Sequence, residues 1–153
     1  MVVRRARNIR LAAWWKLMAA HTLLVQRVGC DLAAVSLPLG SYNVLRLLHE
    51  APGGSLRLSA LARAVFLTRS GVTRLVNRLE RAGLLRREGH EQDRRGSCAI
   101  LTARGRDELR EARVVFERSV VQQFGSHLSD EEVETLNVVL DRIVTAETGA
   151  DCQ

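Results

Sequence analysis

Lysine is almost missing from this 153-residue chain: Lys16 stands alone, and every other cation is an arginine. The planar arginine fork suits bidentate recognition of phosphate and of guanine, although an arginine-biased genome would leave the same count. Cysteine is also sparse. Cys30, Cys98 and Cys152 are odd in number, far apart and without any Cys-x-x-Cys spacing, which argues against a disulfide framework and a structural zinc site. A reducing compartment, the cytoplasm, is the expected location. No run of about 18 uninterrupted apolar residues occurs, so no membrane span is expected. There is no Gly-x-Ser-x-Gly, no His-Glu-x-x-His and no phosphate loop, so no enzymatic activity, catalytic residue, metal or cofactor is assigned. His49, His90 and His127 are expected on the surface.

What is present is a chain 46% hydrophobic, enough for one ordinary core, with a formal net charge of +6. Such a surface attracts polyanions, nucleic acid or anionic lipid, and charge alone does not choose between them. Arg4, Arg5, Arg7 and Arg10 precede an apolar stretch ending at Val28-Gly29-Cys30, an order that imitates a secretory signal. Lys16, His21, Gln26 and Arg27 interrupt it, and its apolar residues recur at helical spacing, so a mature cytosolic helix is the better reading.

From Ile9 to about Cys30, Leu11, Trp14, Trp15, Met18, Val25 and Val28 follow steps of three and four, predicting a long amphipathic helix. Pro38 and Gly40 open a shorter helix burying Tyr42, Leu45 and Leu48, and Ala51-Pro52-Gly53-Gly54 ends it. Leu56-Arg57-Leu58 allows one short strand, after which Ser59 is the expected N-cap of a brief helix through Val65. Thr68 caps a further helix to about Ala82, closed by Gly83. Leu84–Glu88 and Ser97–Leu101 are strand-like around a long polar loop, a projecting wing. Thr102 caps a helix carrying Leu109, Ala112, Phe116, Val120 and Phe124. Ser129 and Glu132 form a capping-box pattern before a last helix with Val133, Leu136, Leu140, Ile143 and Val144 on one stripe. The small central unit is too limited to cover all these stripes, so a second copy of the chain is expected to cover the remainder; the alternative is a monomeric helical cap.

The segment Thr68–Ala82 is the most informative. At 100 degrees per residue, Ser70, Thr73, Arg74, Asn77 and Arg81 fall on one side, and Val72, Leu75, Val76, Leu79 and Ala82 on the other. One face packs; the other can read DNA, because arginine and asparagine make bidentate contacts to guanine and adenine edges. Arg69 and Arg78 flank that face and suit phosphate. A merely solvated face is the bland alternative, but such faces mix charge signs, and Glu80 is the one carboxylate here. Arg86, Arg87, Arg94 and Arg95 lie on or near the wing, where a basic loop can reach a minor groove. Asp93 can pair with a nearby arginine and hold it at an angle.

These residues carry a resemblance. Leu58-Ser59-x-Leu61-Ala62, then Thr68-Arg69-Ser70-x-x-Thr73-Arg74 leading to Leu79-Glu80-x-x-Gly83-Leu84-Leu85-x-Arg87, then Asp93-Arg94-Arg95-Gly96 and Leu101-Thr102-x-x-Gly105 resemble the DNA-binding core of the MarR family of winged-helix regulators. Phe66 departs from it, in a turn where relatives often place a small residue. The resemblance implies a mainly α fold with a small β-wing: one domain over residues 1–153, with a winged helix-turn-helix core at 40–101 and dimerisation helices at 9–30 and 102–148. It implies a homodimer on a pseudo-palindromic double-stranded operator, with Ser70, Thr73, Arg74 and Asn77 facing the major groove. Arg95 would enter the minor groove, supported by Asp93 and beside Arg94. It further implies a repressor released by a small aromatic or anionic effector, for which Trp14, Met18, His21 and Tyr42 are the lining candidates. Some relatives sense oxidants through a cysteine near the first helix, which raises Cys30; a buried inert thiol is the expected state. A winged-helix module that binds another protein shares this fold and would be indifferent to salt and to DNA.

Overall fold

The computed structural model describes residues 2–65, 67–89 and 97–149, with side chains from 8 to 148 within those ranges. Among these residues six α-helices and three strands follow the order α1 (Val2–Ala33), α2 (Leu39–Glu50), β1 (Ser55–Arg57), α3 (Leu58–Ala64), α4 (Arg69–Arg81), β2 (Leu85–Glu88), β3 (Cys98–Leu101), α5 (Ala103–Gln123) and α6 (Asp130–Gly149). The mainly helical class with a small sheet is as expected.

Local chemistry sets most boundaries. The Thr68 hydroxyl accepts the Gly71 N–H at 3.2 Å, satisfying a donor that the first turn of α4 cannot pair. At the other end Gly83, at φ +72, lets the Gly83 and Leu84 N–H groups bond back to the Glu80 and Leu79 carbonyls, at 2.9 and 3.0 Å. Ser129 and Glu132 exchange the two bonds of a capping box at the start of α6. Two boundaries differ from expectation. Helix α1 extends beyond Ile9–Cys30 at both ends: no proline or glycine interrupts residues 2–8, and after Gly29 none follows until Pro38. Ser59 is not a cap: Arg57 occupies that position without a side-chain bond, and the Leu58 N–H donates to the Ser97 carbonyl at 3.0 Å. The Ser97 carbonyl of the neighbouring segment thereby satisfies the first unpaired N–H of α3.

The strands pair antiparallel in the order β1-β3-β2, with Leu56 opposite Ala99, Leu85 opposite Leu101 and Glu88 opposite Cys98. Thr102 joins this sheet to its surroundings. Its hydroxyl donates to the Gly83 carbonyl at 2.8 Å and accepts the Gly105 N–H at 3.0 Å, so the end of α4 and the start of α5 share one side chain. A Cβ at Gly105 would lie 2.0 Å from the Leu84 carbonyl oxygen, so only glycine allows this approach.

Leu45 and Leu48 of α2, Leu61 of α3, Val72, Val76 and Leu79 of α4, Leu85 of β2 and Ala99 of β3 meet in one core. Among the described residues helix α1 contributes only Val28 and Leu32, and its lower half is fastened to α5 where Ser119 donates to Asp31 at 2.6 Å. Helix α6 contributes no buried residue among those described. Much of the stripes foreseen on the terminal helices is therefore open in the single chain: Leu11 is 51% exposed, Trp15 67%, Ile143 47% and Val144 52%, while Val133, Leu136 and Leu140 are half-buried. Cys30, expected to be buried, is exposed, on a shallow surface pocket that it lines with Arg27, Asp31 and Gln123 of α5. Ala82 is exposed too, as the C-cap residue just beyond the last residue of α4.

Candidate nucleic-acid interface and the adjoining cavity

Helix α4 is two-sided, as its spacing requires. Val72, Leu75, Val76 and Leu79 are buried, while Arg69, Ser70, Thr73, Arg74, Arg78 and Arg81 are exposed and Asn77 is half-buried. Arg74, Asn77, Arg78 and Arg81 border a shallow groove on the outer side. The helix backbone orders part of this face: Thr73 donates to the Arg69 carbonyl at 2.8 Å, and Arg81 Nε donates to the Asn77 carbonyl at 3.2 Å. Arg78 is tied from outside its helix, its Nη2 donating to Ser41 Oγ on α2 at 3.0 Å. The one carboxylate of α4 does not neutralise the face. Glu80 instead accepts the Arg87 N–H at 3.1 Å and pairs with Arg87 Nε at 3.3 Å, lashing the base of the hairpin to the helix.

That pair corrects the grouping of Arg86 with Arg87. Successive strand residues point to opposite faces. Arg86 is exposed and paired with Glu88, whereas Arg87 is half-buried against Glu80 and acts as a strut. Asp93, Arg94 and Arg95, with His90, lie outside the described residues, as does Phe66. Strand β2, which leads into their loop, packs beside α4.

A cavity of about 340 Å³ opens between α2 and α5, lined by Tyr42, Arg46, His49 and Glu50 on one side and Arg106, Leu109, Arg110, Arg113, Phe116 and Glu117 on the other. Tyr42 and Phe116 stack at 4.4 Å between ring centroids, forming an aromatic wall. Four arginines face two glutamates. Arg46 pairs with Glu50 at 2.7 Å and Arg113 with Glu117 at 2.6 Å, which leaves a cationic excess at Arg106 and Arg110. Arg110 shares its charge with Asp107 outside the lining. Burial pushes the Tyr42 phenol above the ordinary tyrosine range, with the charges of Arg113 and Arg46 opposing it.

Of the four candidate effector residues, only Tyr42 lines this cavity. Trp14, Met18 and His21 are exposed or half-buried on the part of α1 that the core does not reach, so the structure does not bring them to Tyr42. The residues missed were Arg46, Arg113 and Phe116. Phe116 showed a signal, its helical spacing with Leu109 and Ala112, but that spacing marks a packed face and says nothing of a gap beside it.

The MarR family model matches residues 36–96, from the turn before α2 to the wing. A protein of Thauera aromatica assigned to transcriptional regulation of the hcr operon is 38% identical over 107 residues, which span 68% of this chain and 61% of that protein's length. AbsC, a MarR family transcriptional regulator from Streptomyces coelicolor, superposes with a TM-score of 0.83 at 32% identity, covering 91% of this chain and 94% of AbsC. A second MarR family regulator from that organism, solved in complex with DNA, superposes with a TM-score of 0.80 at 33% identity over 88% of this chain and 85% of its own. Likeness over almost the full length, in both sequence and fold, establishes kinship: the chain belongs to the MarR family of transcriptional regulators.

Proposed function

We propose that this protein is a homodimeric, sequence-specific regulator that binds duplex DNA through the outer face of α4 and the β2–β3 wing, and that a small aromatic anion in the α2–α5 cavity releases it. The observation that carries the reading is the exposed face of α4, whose arginines are unneutralised by Glu80 and stand beside the hairpin that Glu80 anchors. Ser70, Thr73, Arg74 and Asn77 read base edges in the major groove, and Arg69 and Arg78 take phosphates. Arg95 enters the minor groove with Asp93 holding it and Arg94 beside it. The open apolar stripes of α1 and α6 meet their counterparts in a second copy, giving one domain per chain with a DNA-binding core at 40–101 and dimerisation helices at 9–30 and 102–148. Such a dimer sets two recognition helices about one DNA turn apart, which suits a pseudo-palindrome. It acts on the chromosome, in the cytoplasm, as a repressor.

The cavity supports an effector of definite chemistry. A stacked Tyr42–Phe116 wall accepts a flat ring, and the arginine excess accepts a carboxylate. Footprinting of purified protein on genomic fragments tests the whole reading. Protected sites with half-sites about one helical turn apart are expected, and so is their loss on adding aromatic carboxylates. Uniform absence of protection would overturn the DNA reading; protection indifferent to every aromatic acid would overturn the effector.

A further inference from the structure

We propose that Ser41 is a positioning residue for Arg78, holding the guanidinium at the angle from which it meets a DNA phosphate; this rests on the DNA reading of α4. Ser41 lies in the first turn of α2, an element with no other claim on the DNA face, and it is one of two buried polar residues among those described. Its hydroxyl oxygen accepts from Arg78 Nη2 at 3.0 Å across a sequence separation of 37 residues. An exposed arginine ordinarily ranges over many rotamers and loses that freedom when it binds. A buried acceptor removes part of that cost in advance. Only one N–H of the guanidinium is used at Ser41, so the others remain to meet a phosphate.

The placement is specific in two ways. The start of α2 packs beside α4, where a Cβ built on Gly40 would make an ordinary contact with Leu75 Cδ2 at 3.9 Å, so Ser41 stands next to the helix that carries Arg78. The next residue, Tyr42, points about 100 degrees round the helix and forms the wall of the α2–α5 cavity against Phe116. One helical turn thus carries both the cavity's aromatic wall and the acceptor that orients a DNA-facing arginine. A molecule that moved this turn would move the acceptor with it.

A double-mutant cycle on the full chain tests the proposal, with affinity for a mixed-sequence duplex at low salt as the readout, because a phosphate contact needs no operator. Arg78→Ala should lose roughly tenfold, and Ser41→Ala a smaller loss of roughly threefold, as net bonds of charged and ordinary strength imply. Ser41→Ala placed on Arg78→Ala should add no further loss, and thermal unfolding of Ser41→Ala should match the parent. Ser41→Cys, close in volume with a weakly accepting sulfur, should reproduce the Ser41→Ala loss if alanine prevents folding. Additive losses in the cycle, or a Ser41 variant that binds like the parent while Arg78→Ala fails, would overturn the positioning role. Full binding by Arg78→Ala would instead overturn the phosphate assignment of Arg78 beneath it.

Discussion

Arg74 and Arg78 stand one turn apart on α4, yet they are held differently. Arg74 has no hydrogen-bond or ion-pair partner among the described residues, whereas Arg78 is bound to Ser41. If, as proposed, Arg74 follows a base edge and Arg78 is held toward a phosphate, the two should fail differently. Arg74→Ala is expected to cost about 1–3 kcal/mol on the operator and to relax sequence preference, while Arg78→Ala weakens operator and random DNA alike; equal ratios for both variants in competition binding would remove the distinction. Tyr42 offers a second test at this scale, being the only tyrosine in the chain. Burial favours the neutral phenol, so its folded pKa lies above the ordinary value near 10. The stabilisation is present below the unfolded pKa and is lost as pH rises through the higher folded one. Phenolate absorbance should therefore rise only above the ordinary tyrosine range, with stability declining over that interval, and a midpoint at or below that range would contradict the burial described.

Elements were legible where one side chain meets the backbone a few residues away. Thr68, Thr102 and Ser129 cap the helices they were expected to cap, and Gly83 closes α4, because each signal and its target lie within about one turn. The ties between elements were not legible. Glu80 to Arg87, Arg78 to Ser41 and Ser119 to Asp31 join residues that only the finished packing brings together, and the cavity is a gap between two helices, which periodicity does not encode. Gly105 links the two kinds of knowledge: its place in the Leu101-Thr102-x-x-Gly105 run was visible, its reason was not. Gly105→Ala should destabilise by at least about 1–3 kcal/mol in denaturant unfolding, since the new methyl meets backbone that cannot withdraw. Thr68→Ala should cost only about 1 kcal/mol. A neutral Gly105→Ala would show that the α5–Leu84 contact is looser than described.

At the scale of the molecule, the chain has a closed core around α2–α5 and the sheet, and terminal helices whose apolar faces lack a covering layer. A large exposed apolar surface of this kind marks an interface. Light scattering should report twice the chain mass for the parent, and Ile143→Glu, which puts a charge on the open stripe of α6, should shift the population toward the single chain; an unchanged mass would place the interface elsewhere. On the proposed reading the outer side of α4 meets DNA, and ionic strength interrogates that contact most directly. Arginines that displace counterions from phosphates make the logarithm of DNA affinity fall linearly with the logarithm of salt concentration, by close to one unit of slope for each phosphate engaged. A steep negative slope for the parent, made shallower by about one in Arg78→Ala, is the predicted result; an affinity that does not change with salt would contradict the account.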